Sequence, residues 1–186
     1  ELVRAQTERR QASPLVMRAS GPPVMGGTPI AVGSSYAEHQ DRKLHVRGIC
    51  TLRPDGVKAI EQQLFSSRGS VFHFLSEEGP EARAPGALAY ASAGIAFCFL
   101  TQLGRYAKIT RKDLKTYSVV QDTSFQPGID DLPGKAWPVE THVHLESSED
   151  EEFARTSLHM AEQTCFLHAL CRTPLNVNVH VNRLGS

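Results

Sequence analysis

The stretch that decides the fold is residues 86–107, GALAYASAGIAFCFLTQLGRYA. These residues are apolar nearly all round a helical wheel, so a helix formed here would be enclosed by other elements on most sides. Ser92, Thr101 and Gln102 interrupt the apolar run, which favours a buried core helix over a membrane span. We therefore place this helix at the centre of the predicted fold and expect no segment that crosses a bilayer.

Two predicted strands lie before this helix. Residues 43–52 alternate between apolar and polar side chains, as a half-buried strand requires, and the Pro-Asp-Gly turn at residues 54–56 ends them. Residues 70–75 are rich in aromatic and β-branched side chains and predict a second strand, which a polar loop at residues 76–83 follows.

Two more strands are predicted after the helix, at residues 115–123 and 139–146. A loop that contains two Pro-Gly pairs separates them. Because the strands follow one another as hairpin-like runs, the order of elements predicts an α+β protein with an antiparallel sheet packed on helices.

A second helix and a closing strand complete the predicted fold. Ser147 or Ser148 can cap a helix over residues 149–170, whose acidic first turn suits the helix dipole. Pro174 stops any continuation of that helix. Residues 175–181 then alternate between apolar and polar side chains and predict a terminal strand.

Length and composition favour one globular domain. The chain has 186 residues, of which 40% are hydrophobic and 22% are charged, as in ordinary soluble proteins. Its 20 basic residues balance 20 acidic ones and are spread along the chain, so we expect neither nucleic acid nor a membrane as a partner. The glycines and prolines of residues 1–40 predict an N-terminal arm or irregular segment before a single domain at residues 41–186.

The cysteines are the candidate reactive residues. A protein of this size does not need disulfide staples and no CxxC pair is present, so we expect a reducing, cytoplasmic location. Cys98 lies inside the apolar helix, and Cys165 has His168 one turn later, where the imidazole could hydrogen-bond or supply charge. Packing is the alternative for both, because a free cysteine in an apolar helix is often a small hydrophobe. The four cysteines are Cys50, Cys98, Cys165 and Cys171.

One strand carries residue types that bind metals. His142 and His144 alternate with Glu140 and Glu146, which places several possible ligands on one face. Such a run is more often a solvated strand face. We therefore expect neither a metal nor a cofactor.

Two cysteine-containing segments, GIAFCF at residues 94–99 and AEQTC at residues 161–165, resemble parts of the OsmC/Ohr family, the osmotically inducible protein C and organic hydroperoxide resistance proteins. Residues 94–99, GIAFCF, look like the Ala-rich helix segment that carries the family's Cys-Phe pair. Residues 161–165, AEQTC, resemble the family's second cysteine, which lies near a helix end and is followed by the closing strand. The two cysteines are 67 residues apart, close to the family's separation, and the resemblance covers roughly residues 43–182.

The resemblance implies a fold and a reaction. The fold is α+β and OsmC-like, with an antiparallel sheet wrapped around a buried central helix in an intertwined homodimer whose subunits share a thiol site. Cys98 is similar to the peroxidatic thiol, which attacks an organic or inorganic hydroperoxide and becomes a sulfenic acid. Cys165 is similar to the resolving thiol, which forms a disulfide that an unknown dithiol reduces. The implied role is defence against oxidative stress.

The sequence departs from the family at several positions. Leu88 stands where the best peroxidases carry a glutamate, so Glu77 or Glu78 in the preceding loop would have to supply a carboxylate. Phe166 follows Cys165, where many members have proline. The family's activating arginine lies on the N-terminal strands and stabilises the reactive thiolate by its charge. Three arginines are candidates for that role: Arg47, Arg53 and Arg68.

Two alternatives to catalysis remain open. A non-catalytic protein of the same fold would bind a small hydrophobic ligand in an apolar cleft, with both cysteines merely packed. A plain dimerisation module would need no pocket that reaches Cys98. The separation of Cys98 and Cys165 discriminates between these readings, because only neighbouring sulfur atoms can form a disulfide without refolding.

Overall fold

A computed structural model of the chain describes residues 16–18, 46–64 and 71–181. The chain divides into two compact units, residues 1–90 and 91–186. Most of the predicted arm, residues 1–40, lies outside the described residues.

The first unit contains a four-stranded antiparallel sheet. One of its strands belongs to the predicted arm. Another was not predicted, because its sequence, KAIEQQL, is largely polar and lacks a clear alternation. In chain order the strands are β1 (Val16–Arg18), β2 (Val46–Leu52), β3 (Lys58–Leu64) and β4 (Val71–Ser76). Their order in the sheet is β1-β4-β3-β2.

The turn between β2 and β3 has the predicted Pro-Asp-Gly sequence. The amide of Gly56 donates to the carbonyl of Arg53 over 3.0 Å, and the amide of Arg53 donates to the carbonyl of Val57 over 2.9 Å. Gly56 has a φ of +84°, which side chains with a Cβ rarely adopt. This turn sets the register in which Cys50 lies opposite Ile60.

The prediction of a half-buried first strand is wrong for β2. All seven of its residues are exposed. An alternating sequence buries one face of a strand only where a second layer packs on that face, whereas the contacts of β2 in the described part of the chain are mainly with its neighbour β3.

The predicted long helix forms as α1, Ala87–Thr110. Its first amide, that of Ala87, donates to the carboxylate of Glu78 over 2.9 Å, which satisfies one of the donors that a helix start leaves free. Of the helices in the described part of the chain, only α1 is long and apolar enough to cross a membrane, a test that core helices of soluble proteins also pass.

The prediction that α1 is enclosed on most sides is wrong within the single chain. Leu88 is 53% exposed and Phe97 is 68% exposed. Packing covers one stripe of the helix, as the spacing of its buried residues shows. That stripe consists of Ile95, Phe99, Gln102, Leu103 and Ala107.

The second unit holds an antiparallel strand pair and two helices besides most of α1. The predicted strands after α1 are confirmed, and the loop with the Pro-Gly pairs adds a short strand pair of its own. The strands are β5 (Thr116–Asp122), β6 (Phe125–Gln126), β7 (Lys135–Ala136) and β8 (Glu140–Glu146). β5 pairs with β8, and β6 pairs with β7.

The predicted helix at residues 149–170 is two helices. They are α2 (Glu151–Thr164) and α3 (Phe166–Arg172), and Cys165 separates them with extended backbone angles, φ −77° and ψ 115°. Asp150 caps α2, because its carboxylate accepts from the amide of Phe153 over 2.8 Å.

The predicted caps of α2 were wrong. Ser147 and Ser148 instead donate to Asp113, to its carbonyl over 2.6 Å and to its carboxylate over 3.1 Å. The two serines therefore hold the end of β8 to the segment that precedes β5.

The predicted terminal strand at residues 175–181 does not form. Among the described residues no strand pairs with it, although its backbone is free of helix. Its four apolar side chains are between 60% and 89% exposed. A strand needs a partner for its ladder hydrogen bonds, and alternation in the sequence cannot supply one.

The core of the second unit is small and joins α1 to the later helices. Phe99, Leu103, Ala161 and Cys165 form a buried cluster, and partly buried side chains of β5 and β8 pack against it. Leu103 has no exposed surface, so its side chain makes contacts on every side.

Replacement of Leu103 by alanine tests this core. We expect Leu103→Ala to lower the free energy of unfolding by about 2–5 kcal/mol, because it removes buried methyl groups and leaves a cavity. The exposed Leu88→Ala is the matched control, with an expected change within about 0.5 kcal/mol. Urea unfolding followed by circular dichroism measures the free energy of unfolding of both variants. Equal losses in the two would contradict the assignment of Leu103 to the core.

Candidate functional site

Cys98 and Cys165 lie beside each other in the second unit. Cys165 belongs to the buried core cluster and has no exposed surface, whereas Cys98 is half-buried and packs against that cluster. The Cys98 thiol is near enough to affect the ionisation of Cys165. Both cysteines are free thiols, so the fold brings together two thiols that the sequence separates by 67 residues.

Cys165 is held as a thiol and not as a thiolate. Burial is the main cause and raises the pKa of Cys165 to about 11, to which the neighbouring Cys98 contributes. The backbone amides of His168 and Leu167 act in the opposite direction and lower it. With a pKa near 11, about one Cys165 in 10⁴ is ionised at pH 7.

His168 contacts Cys165 directly. Its Nδ1 lies 3.1 Å from the Cys165 sulfur, and its Nε2 lies 3.1 Å from the Thr141 hydroxyl oxygen. The ring is 8% exposed and packs on Phe99, with 5.4 Å between the ring centroids. Burial lowers the pKa of His168, so the imidazole is neutral at pH 7. The contact that the i+3 spacing made possible is therefore present.

Thr141 and Gln121 also belong to this site, and the sequence reasoning missed both. They lie directly opposite each other in the β5–β8 pair. A signal was available, because Thr141 shares the inward face of β8 with Val143 and Leu145. A polar residue on an otherwise apolar strand face needs a partner, and here its hydroxyl contacts His168.

A cavity of about 660 Å³ opens next to this group of residues. Apolar side chains such as Phe125, Trp137 and Leu167 line most of it, and His168 forms part of its wall. Neither Cys98 nor Cys165 lines this cavity. An apolar molecule in it would therefore contact the imidazole but not the two sulfur atoms.

The two predicted assisting carboxylates lie in the first unit and have local partners. Glu77 forms an ion pair with Arg83 over 2.8 Å, and the hydrogen bonds from Arg83 lower the pKa of Glu77 to about 2. Glu78 accepts from the first amide of α1. Both carboxylates thus stabilise the loop that leads into the helix.

The predicted assisting arginines also lie in the first unit or outside the described residues. Arg47 is on β2, opposite Gln63. Arg53 directly follows β2, at the start of the turn, and forms an ion pair with Asp55 over 3.1 Å. Arg68 lies outside the described residues.

The histidines of β8 lie on its exposed face. His142 and His144 are both exposed, and His142 lies 3.6 Å from a carboxylate oxygen of Asp122. Within residues 16–18, 46–64 and 71–181, no group of three or more His, Cys, Asp or Glu side chains is arranged to hold a metal ion.

Comparisons with known proteins identify the fold. No protein-family model matches the sequence, and no curated protein matches it significantly. Among solved structures, an OsmC-like protein from Mycoplasma pneumoniae matches with a TM-score of 0.55 and 17% identity, over 72% of this chain and 89% of that one. An organic hydroperoxide resistance protein OsmC from Legionella pneumophila has a TM-score of 0.51 and 17% identity, over 72% and 92% of the two chains.

A third structure agrees with these two. An organic hydroperoxide resistance protein from Elizabethkingia anophelis has a TM-score of 0.50 and 15% identity, over 72% of this chain and 90% of that one. At such low identity the likeness shows the fold alone.

The burial of Cys165 predicts an order of thiol labelling. At pH 7 we expect N-ethylmaleimide to modify the exposed Cys50 and Cys171 at least about tenfold faster than Cys165, which is both buried and protonated. A labelling time course read by peptide mass spectrometry measures the rates, and labelling in denaturant is the control in which burial no longer protects. Early labelling of Cys165 in the native protein would contradict the structure.

Proposed function

We propose that this chain, which has the OsmC-like fold, reduces hydroperoxides through Cys98 and Cys165. The observation that supports this most strongly is that the fold places the two free thiols side by side in one core. A disulfide forms only between cysteines whose side chains can approach closely. The neighbouring positions of these two therefore support a Cys98–Cys165 disulfide.

The different burial of the two cysteines supports different roles. Cys98 is half-buried and is the more accessible of the pair, so it takes the role of the peroxidatic thiol. Its thiolate attacks the O–O bond of the hydroperoxide, which breaks. One oxygen stays on sulfur as a sulfenic acid, and the other leaves with a proton as an alcohol or water.

Cys165 takes the role of the resolving thiol. It is fully buried and protonated at neutral pH, so it cannot be the first nucleophile that meets a peroxide. Its sulfur attacks the sulfenic acid of Cys98, a disulfide forms and water leaves. A dithiol reductant then restores both thiols by thiol–disulfide exchange. From the resemblance to the family, we expect Arg47, Arg53 or Arg68 to stabilise the reactive thiolate, and Glu77 or Glu78 to take the role of the family's glutamate.

The protein would act as a homodimer in the cytoplasm. The apolar residues that α1 leaves exposed, Phe97 among them, form a surface that a second subunit could cover. A cytoplasmic location agrees with four free cysteines, which oxidising compartments tend to convert to disulfides. The role would be defence against oxidative stress.

A second candidate function is the binding of a small hydrophobic ligand without catalysis. The cavity of about 660 Å³ favours it, because its walls are mostly apolar and neither Cys98 nor Cys165 lines it. In that case Cys98 and Cys165 would only pack. Reaction with a peroxide separates the two functions.

We expect one equivalent of cumene hydroperoxide to convert the reduced protein to a form that has lost two hydrogens, with a Cys98–Cys165 disulfide in its peptide map. Cys98→Ser should abolish formation of this disulfide, because Cys165 then has no oxidised Cys98 to attack. Cys165→Ser should instead accumulate the sulfenic acid at Cys98, which dimedone traps.

The matched control for this experiment is Cys171→Ser, which removes an exposed cysteine of α3 and should leave the disulfide unchanged. Four unmodified cysteines in the wild-type protein would contradict the peroxidase and favour the ligand-binding function.

A substitution on α1 tests the homodimer. The wild-type chain of 20.4 kDa should elute as a particle of twice that mass. Phe97→Glu should shift it to the monomer, because a charge would then lie at an apolar interface. Light scattering after size-exclusion chromatography measures the mass. The control Gln163→Glu adds the same charge to an exposed polar position of α2 and should remain dimeric. If Phe97→Glu also remains dimeric, the exposed apolar surface of α1 is not the dimer interface.

A further inference from the structure

We propose that His168 is the general base that removes the proton from Cys165 while Cys165 attacks oxidised Cys98. This inference rests on the proposed function for the oxidised state of Cys98. It adds a catalytic residue that neither the spacing of the cysteines nor the resemblance to the OsmC/Ohr family assigns.

The argument begins with the orientation of the Gln121 side chain. Its Nε2 donates to the backbone carbonyls of Asp122 and Glu140, over 3.2 Å and 3.1 Å. Carbonyl oxygens only accept hydrogen bonds, so the amide nitrogen must point toward them. The amide oxygen of Gln121 therefore faces Thr141.

This orientation determines the tautomer of His168. The Thr141 hydroxyl donates its single proton to Oε1 of Gln121 over 2.7 Å, so its oxygen is left to accept. The neighbouring Nε2 of His168, 3.1 Å away, must then carry the ring proton and donate it to Thr141. A neutral imidazole has one N–H, so Nδ1 is an acceptor.

The free Nδ1 faces the thiol that has to lose a proton. It lies 3.1 Å from the Cys165 sulfur, so the S–H of Cys165 donates to it. Gln121, Thr141, His168 and Cys165 thus form one directed chain of hydrogen bonds. A base in contact with the proton it removes is the geometry that general base catalysis needs.

The surroundings keep His168 neutral and able to accept. Burial is the main cause that lowers its pKa, Glu162 on α2 raises it and Arg172 on α3 lowers it. From α1, the ring of Phe99 packs on the imidazole. From β8, Thr141 offers only a hydroxyl. The imidazole is therefore unprotonated at physiological pH.

The high pKa of Cys165 explains why a base is needed. A pKa of about 11 leaves few free thiolates at pH 7, so a step that waited for them would be slow. In the proposed step, Nδ1 takes the proton as the S–S bond forms and the S–O bond of the sulfenic acid breaks. The imidazolium then gives the proton to the leaving hydroxide, and water departs.

The test uses a reaction of Cys165 that needs no peroxide. In a Cys50→Ser/Cys171→Ser protein, Cys98 is converted to its mixed disulfide with 5-thio-2-nitrobenzoate, and mass spectrometry verifies the site. Attack by Cys165 on the Cys98 sulfur then releases the coloured thiolate. We expect His168→Gln to slow this release about 10²-fold at pH 7, because glutamine can hydrogen-bond but has no basic nitrogen.

The pH profile separates a base from a packing residue. With His168 present, the release rate should be nearly constant between pH 7 and 8 and should fall at lower pH as the imidazole becomes protonated. In His168→Gln the rate should rise about tenfold per pH unit, because only the free thiolate of Cys165 reacts. Equal rates and equal profiles in the two proteins would overturn the proposal.

Three further variants keep the test decisive. His159→Gln makes the same change at an exposed position of α2 and should not alter the release rate. Thr141 is a positioning residue, so Thr141→Val should slow the release and change the pH profile, while Thr141→Ser should restore both. Nitrogen NMR reports the tautomer directly, and a proton on Nδ1 of His168 at pH 7 would also overturn the proposal.

Failure of this inference is distinguishable from failure of the proposed function. If cumene hydroperoxide leaves the wild-type Cys98 unmodified, the peroxidase is wrong. The release assay and the NMR tautomer still decide whether His168 acts as the base of Cys165.

Discussion

The burial of Cys165 is the constraint on which the rest of the second unit depends. Cys165 shares its cluster with Phe99 and Leu103 of α1 and with Ala161 of α2, so the same packing that holds these helices together also places the thiol next to Cys98. Burial sets the chemistry as well as the position, because it raises the pKa of Cys165 to about 11. A thiol held in this state suits a second, delayed attack on sulfur and not a first attack on a peroxide.

The break between α2 and α3 lies at Cys165 itself. The backbone at Cys165 is extended and α3 begins at the next residue, with the imidazole of His168 3.1 Å from the Cys165 sulfur. A buried imidazole also needs a partner for its second nitrogen, and Thr141 of β8 provides it. The sheet, the helix break and the thiol are therefore linked through hydrogen bonds as well as apolar contacts.

Packing within a single chain does not cover the exposed apolar residues of α1. A helix this apolar buries a single stripe in the chain, while Phe97, next to Cys98 in sequence, is largely exposed. Cys98 therefore lies between a packed face and an open one. A second subunit that covers the exposed face of α1 would also change the surroundings of Cys98. The homodimer and the peroxidase are therefore proposed together.

The sequence by itself determined the long helix, the strands β5 and β8, the hairpin turn and the two cysteines, because each of these depends on local periodicity, turn chemistry or residue type. It also carried the resemblance that agrees with the OsmC-like fold. Tertiary structure decided the edge position of β2, the exposure of much of α1, the break at Cys165 and the cap at Asp150. It also decided that residues 175–181 pair with no strand among the described residues. The contact of His168 with Thr141 joins residues that are 27 positions apart. Such features depend on which residues meet in the folded chain, and the periodicity of a sequence does not specify those long-range contacts.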